Sequence, residues 1–172
     1  MDNKIKNTIL YLLTNENYAK LADLNHHNTK RLTHIINVTV ASINFAKALH
    51  IKVDENALIK GCLLHDFFLY DKYACPKHKI HAFYHAKVAV ENAEKYFGIN
   101  KIETDMILKH MFPLCLGIPK YKETWIITLT DKYCAIAEKF AHKDETNQIK
   151  RNIRKVIRNG INERRKVQEA FI

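Results

Sequence analysis

Apolar positions recur along most of this chain at three- and four-residue intervals, a period that puts them on one face of a helix. Residues 3–14 and 16–24 read as two short helices, and a polar break follows at 25–29. A long helix near 31–49 then turns Ile35, Val38, Ile43, Ala46 and Leu49 inward. Asp54 is suited to cap a helix through Ala57, Leu58, Gly61, Leu64 and His65, because its side chain accepts bonds from the free amides of a first turn. The region of Pro76 predicts a loop. A helix over 81–97 ends at Gly98, the residue that takes a left-handed closing conformation at least cost. A shorter helix over 103–110 stops before Pro113, since proline has no amide and disfavours helix in its predecessor. After Pro119 a helix runs over 122–140, and the segment 146–172 predicts a further helix or two, broken at Asn159-Gly160. The pattern amounts to about seven helices without an internal repeat or a linker.

Composition supports that reading. Four glycines and three prolines in 172 residues are too few to punctuate a strand-and-turn protein, and 47% apolar content fills one substantial core. The expectation is an all-α chain: a single helical bundle domain over 1–172, with its chemistry in 26–140 and a basic C-terminal segment at 146–172. The N-terminal stretch has no small-residue cleavage site and nothing approaching the roughly 18 apolar residues of a membrane span, which predicts a cytoplasmic protein with no membrane partner. Cys62, Cys75, Cys115 and Cys134 are far apart and form no C-x-x-C pair, so reduced thiols are expected rather than disulfides or structural zinc.

The net charge of +10 calls for an anionic partner. Residues 150–172 hold eight basic side chains against Glu163 and Glu169, +6 of that total. No aromatic side chain interleaves the basic positions as a base-stacking surface requires, so a small phosphate-bearing ligand is favoured over nucleic acid.

Candidate chemistry centres on Cys62-Leu63-Leu64-His65-Asp66-Phe67-Phe68-Leu69, where two metal-competent side chains interrupt an apolar run. An ionised carboxylate in such surroundings costs several kcal/mol (about 3–5) unless paired or bound to a cation. Asp131, within Ile126-Ile127-Thr128-Leu129-Thr130-Asp131-Lys132-Tyr133, poses the same problem on another helix. Imidazole nitrogen combined with carboxylate oxygen suits Fe, Mn, Co, Ni or Zn, and side chains from several helices can converge inside a bundle. Gly-rich phosphate loops, a G-x-S-x-G elbow and a Cys-His dyad are absent, which argues against nucleotide-triphosphate motors and serine or cysteine hydrolases.

The ordered set of a histidine, a His-Asp dipeptide, two further histidines and an aspartate on successive helices resembles the HD superfamily of metal-dependent phosphohydrolases, over about residues 26–140. Closer still, His65-Asp66-Phe67-Phe68-Leu69-Tyr70-Asp71, His81-Ala82-Phe83-Tyr84-His85, Lys109-His110-Met111-Phe112-Pro113 and Asp131-Lys132-Tyr133-Cys134 look like the signatures of a bacterial HD-domain hydrolase group. The resemblance implies a first metal site of His34, His65, Asp66 and Asp131. It implies a second of His85 and His110, with Asp66 bridging. One departure is plain: the group usually has glycine and proline where this chain has Ala82 and Ala86.

A metal bound to a phosphoryl oxygen offsets developing charge and lowers the pKa of bound water, so a metal-bound hydroxide can attack phosphorus without a protein nucleophile. The expected activity is hydrolysis of a phosphomonoester or phosphodiester, a nucleotide by family analogy, with one or two divalent ions (Fe, Mn, Co, Ni, Zn or Mg) as cofactor. Asp66 and Asp71 are the candidate catalytic carboxylates, Asp71 orienting water or a ligand histidine. Lys132 and Lys109 are candidates for the substrate phosphate, and His81 for supporting His85. His50, His78 and His142 read as surface histidines. The alternative is a non-catalytic HD module that binds a nucleotide or regulatory partner and keeps the metal for structure.

Overall fold

The computed structural model describes residues 3–26, 29–70 and 81–140. Among them are seven α-helices: α1 (Asn3–Leu13), α2 (Glu16–Ala19), α3 (Arg31–Ala48), α4 (Glu55–Leu64), α5 (His81–Phe97), α6 (Lys101–Lys109) and α7 (Lys122–Phe140). A short 3-10 helix, Lys20–Ala22, follows α2, and strand pairing among the described residues is limited to a two-residue antiparallel match of Asn25–His26 with Thr29–Lys30. The all-α expectation holds, and no helix among the described residues is long and apolar enough to cross a membrane. The expected helices after residue 146, together with Cys75, His78 and His142, lie outside the described residues.

Local sequence explains most boundaries. Asp54 caps α4 as expected, its carboxylate accepting from the Ala57 amide at 3.0 Å. α6 departs from expectation: it begins at Lys101, not 103, because Asn100 accepts from the amides of Ile102 and Glu103 while the Glu103 side chain reaches back to the Asn100 amide. That reciprocal pairing satisfies donors that a helix start leaves open. The expected helix over 16–24 splits into α2 and the 3-10 turn. Leu49, expected inward, is 57% exposed, because α3 ends at Ala48 and the chain reverses through His50 at a φ of 51°.

α3 is the spine: it packs against both α4 and α7, while α6 closes on α4, α5 and α7. Leu32, Ile35, Ile36 and Val38 of α3 meet Leu58, Cys62 and Leu63 of α4 and Ile127 of α7 in one contiguous core. On α5 the inward face is alanine, with Ala86, Ala89 and Ala93 all buried, and these small side chains let His85 on the same face approach the centre of the bundle. Gly61 serves α4 in the same way, since a Cβ there would stand 2.7 Å from the Met106 side chain of α6.

Candidate metal centre

The segment holding His65-Asp66 is fixed from several sides. α4 stops at Leu64, His65 is its C-cap, and the chain turns at once, the Phe67 amide donating to the Leu64 carbonyl (3.1 Å) and that of Phe68 to the Asp66 carbonyl (2.8 Å). Tyr18, fully buried, donates its hydroxyl to the Leu63 carbonyl at 2.7 Å and packs edge-on against the Phe67 ring. Arg31, the first residue of α3, lays its guanidinium 3.7 Å above the Phe68 ring and donates to the carbonyls of Phe68 and Tyr70. Buried side chains from the N-terminal helices and α3 thereby hold the backbone that presents Asp66.

Two histidines are presented by the same device. His65 closes α4 and His110 closes α6, and each donates Nδ1–H to the carbonyl three residues earlier in its own helix: Cys62 at 2.7 Å and Ile107 at 2.8 Å. A carbonyl can only accept, so each neutral ring carries its proton on Nδ1 and turns the Nε2 lone pair inward. The bond also satisfies one of the carbonyls a helix end leaves open. The Nε2 of His65 is buried and finds no hydrogen-bond partner, an orphaned acceptor of the kind that a cation satisfies.

Around these rings the described residues form two groups that can hold a metal ion, one of His34, His65 and Asp66 and one of Asp66, His85 and His110. Within each group the ligand atoms lie within 4.8 Å of one another, a spacing that ligands about 2.0–2.2 Å from a shared ion reach with small side-chain shifts. Asp66 divides its oxygens between them: Oδ2 is 3.9 Å from His65 Nε2, whereas Oδ1 is 3.5 Å from His85 Nε2 and 3.8 Å from His110 Nε2. The His85 and His110 Nε2 atoms are 3.0 Å apart, converging on one point. Asp131, from the middle of α7, adjoins the first group, its Oδ1 3.0 Å from His34 Nε2 and 3.6 Å from His65 Nε2.

Electrostatics separate the groups. Burial opposes a proton on His34, but hydrogen bonds to Asp131 and Glu138 outweigh it and push its pKa up to about 10. Burial likewise opposes charging His65, and the carboxylates of Asp66 and Asp131 still raise it. Asp131 is held well below the usual carboxylate range: burial works against its charge, and the His34 and His65 imidazoles overcome that. His110 goes the other way, pushed down to about 3 by burial and by the neighbouring His65 and His85.

All six predicted ligands, His34, His65, Asp66, His85, His110 and Asp131, are therefore brought together from α3, the end of α4, α5, α6 and α7. Lys132 is half-buried, with Nζ directed at the carbonyls of His110 (3.3 Å) and Thr128 (3.2 Å). Lys109 pairs with Asp105 one turn back and donates to the Ile118 carbonyl, pinning the loop before α7. Asp71 and the His81 side chain lie outside the described residues. His50 is exposed, as expected of a surface histidine. Cys62 and Cys134 are buried free thiols, and Cys115 is partly exposed.

Two members escaped the sequence reading. Glu138 is buried beside His34, its Oε2 3.0 Å from Nδ1, and Asn37 donates to the other oxygen at 3.0 Å. The signal was present, since Glu138 follows Asp131 by two helical turns and Asn37 follows His34 by one, but it becomes visible only once His34 and Asp131 are known to face each other.

Fold and site together define an all-helical bundle with a buried histidine–carboxylate centre able to hold metal. Comparison of the chain with protein-family models, with curated proteins and with solved structures finds no match.

Proposed function

We propose that this chain is a divalent-metal-dependent phosphohydrolase of the HD type, acting in the cytosol on a phosphomonoester or phosphodiester of a nucleotide. The observation that carries the reading is the pair of His/Asp groups joined by the two oxygens of Asp66, with the Nε2 atoms of His65 and His110 turned inward by their own helices. Divalent ions held there supply Lewis-acid polarisation of a phosphoryl oxygen and bring the acidity of water toward neutrality.

The protein's own residues do the rest. Asp66 and Asp131 gather negative charge in a buried setting where it is weakly screened, and the four imidazole rings that face it are held by packing rather than by surface loops. No nucleophilic side chain is needed: among the described cysteines, Cys62 and Cys134 are buried with their thiols pushed up to about 12 by burial, far from a reactive thiolate. The charge of +10 suits a phosphate-bearing substrate.

The test is metal analysis of the purified protein, followed by a screen of phosphate monoesters and diesters with Mn, Ni, Co and Mg. The reading expects stoichiometric metal and metal-dependent release of phosphate or alcohol. Protein that takes up none of these ions overturns it, and protein that takes up metal but hydrolyses no ester points instead to a non-catalytic binding module.

A further inference from the structure

We infer that Glu138 is a positioning residue which, through His34, makes the group of His34, His65 and Asp66 the tighter of the two cation sites. The inference rests on the metal reading above. His34 bonds through Nδ1 to a carboxylate, Glu138 Oε2 at 3.0 Å, whereas His65 and His110 bond through Nδ1 to backbone carbonyls.

A carboxylate is an anionic acceptor, so the His34 ring behind which it stands is more electron-rich and its Nε2 a stronger donor to a cation. Partners of this kind change metal affinity by roughly 10–100-fold. Glu138 is itself held in place. Its second oxygen accepts from Asn37 Nδ2 at 3.0 Å, and its side chain is 7% exposed, so both oxygens are paired in a setting where an unpaired carboxylate would be costly.

The arrangement also follows from helix geometry. α3 and α7 pack along one another, and the contact that sets His34 against Asp131 sets Asn37 against Glu138 further along the same two faces. The Asp131 carboxylate adds to the same side, its Oδ1 3.0 Å from His34 Nε2 and 3.6 Å from His65 Nε2, while the Nδ1 of His110 is committed to the Ile107 carbonyl. The first ion added should therefore settle on the His34 side.

Calorimetric titration of the chelator-stripped full chain with Mn(II) tests this. Wild type is expected to bind in two steps. Glu138→Gln keeps the shape but puts a neutral amide where the anionic acceptor behind the His34 Nδ1–H stood, so that ring is backed no better than His65 and His110. The expected result is a first step weakened by roughly 10–100-fold with the second changed by less than about threefold.

A readout independent of metal is the His34 Nδ1 proton in the stripped protein. It should resonate far downfield in wild type and move upfield in Glu138→Gln. Asn37→Ala, which loosens Glu138 without removing it, should weaken the same first step by a smaller factor, and it decides the matter if Glu138→Gln does not fold. Equal weakening of both steps, or no change in either, overturns the inference while leaving the metal reading intact. A wild-type chain that binds no Mn(II) overturns both.

Discussion

The two halves of the centre share Asp66 and use the same side-chain chemistry, yet His34 on one side and His110 on the other are pushed in opposite directions. On one side, His34 faces Asp131 and Glu138 and His65 faces Asp66 and Asp131, and both are driven toward the protonated form, His34 to a pKa of about 10. On the other, His110 is pushed down to about 3, and its Nε2 meets that of His85 at 3.0 Å. The difference lies in what each ring is surrounded by. Asp131 and Glu138 of α7 stand beside His34, whereas His110 has the His65 and His85 rings as neighbours and meets a carboxylate only in the shared Asp66, so one half is the more anionic pocket and the other the richer in ring nitrogens. A cation drawn to the first by charge and to the second by lone pairs would use the shared carboxylate to bind both.

The largest effect should come from removing what the halves share. Asp66→Ala is expected to abolish metal binding at both, together with any hydrolysis, because Asp66 is the one residue common to both groups. Metal-dependent stabilisation should vanish too: an ion at about 100 times its Kd adds about 2.7 kcal/mol to a folded protein that binds it. Emission analysis and thermal melting with and without Mn(II) check this. Full metal content in that variant would break the assignment of the centre.

Replacing one half should then divide the site. His85→Ala or His110→Ala is expected to lower the stoichiometry by one ion and leave the half of His34, His65 and Asp131 loaded. Unchanged stoichiometry in both variants would recast these histidines as groups facing the substrate instead of the metal.

Much of this was legible in the sequence, and what was not has a common cause. His65-Asp66 and Asp131 stood out because each interrupts an apolar run, and a charge among leucines and isoleucines demands a partner whatever the fold. Helices were readable from periodicity, and Asp54 from its capping position. The start of α6 was missed by two residues although the Asn100 and Glu103 pairing was spelled out in order, because apolar periodicity drew attention away from the polar cap. Glu138 was missed for a deeper reason. It sits in a stretch rich in Ala, Lys and Glu that reads as a solvated face, and the residue that explains its burial, His34, is 104 positions away. Local pattern reports burial of apolar groups well, whereas it cannot report which distant polar group a carboxylate will meet.

The contrast between the halves also predicts a pH profile for the metal-free protein. His34 has its pKa raised from 6.5 to about 10 on folding, so its stabilising contribution is complete below 6.5 and is lost as pH rises from there through about 10, with His65 shifted in the same direction. His110 has its pKa lowered from 6.5 to about 3, so its contribution is complete above 6.5 and is lost as pH falls toward 3, reinforced near the bottom by Asp131. Melting temperature in chelator should therefore peak near neutral pH and fall on both sides. His34→Gln should flatten the alkaline limb and His110→Gln the acid limb. An alkaline limb that survives His34→Gln unchanged would show that the two rings do not titrate in opposite directions.

The smallest effect expected is also the sharpest test of how the rings are held. His65 takes its orientation from the carbonyl of residue 62, a backbone atom, and not from the Cys62 side chain, whose Sγ instead points to Ser42 Oγ at 3.4 Å. Removing that side chain should leave the anchor in place. Cys62→Ala is expected to cost about 1 kcal/mol in stability, from one buried sulfur lost to a small cavity. Mn(II) affinity should stay within about threefold of wild type, a change of under about 0.7 kcal/mol. The Cys62 thiol of the native protein, fully buried and with its pKa pushed up to about 12, should also be labelled by a thiol reagent more slowly than the partly exposed Cys115. Mass spectrometry after timed labelling reads that order. If Cys62→Ala instead weakened Mn(II) binding as much as Glu138→Gln does, the side chain rather than the backbone would be holding His65, and the distinction between a ring fixed by its own helix and a ring fixed by a distant carboxylate would not stand.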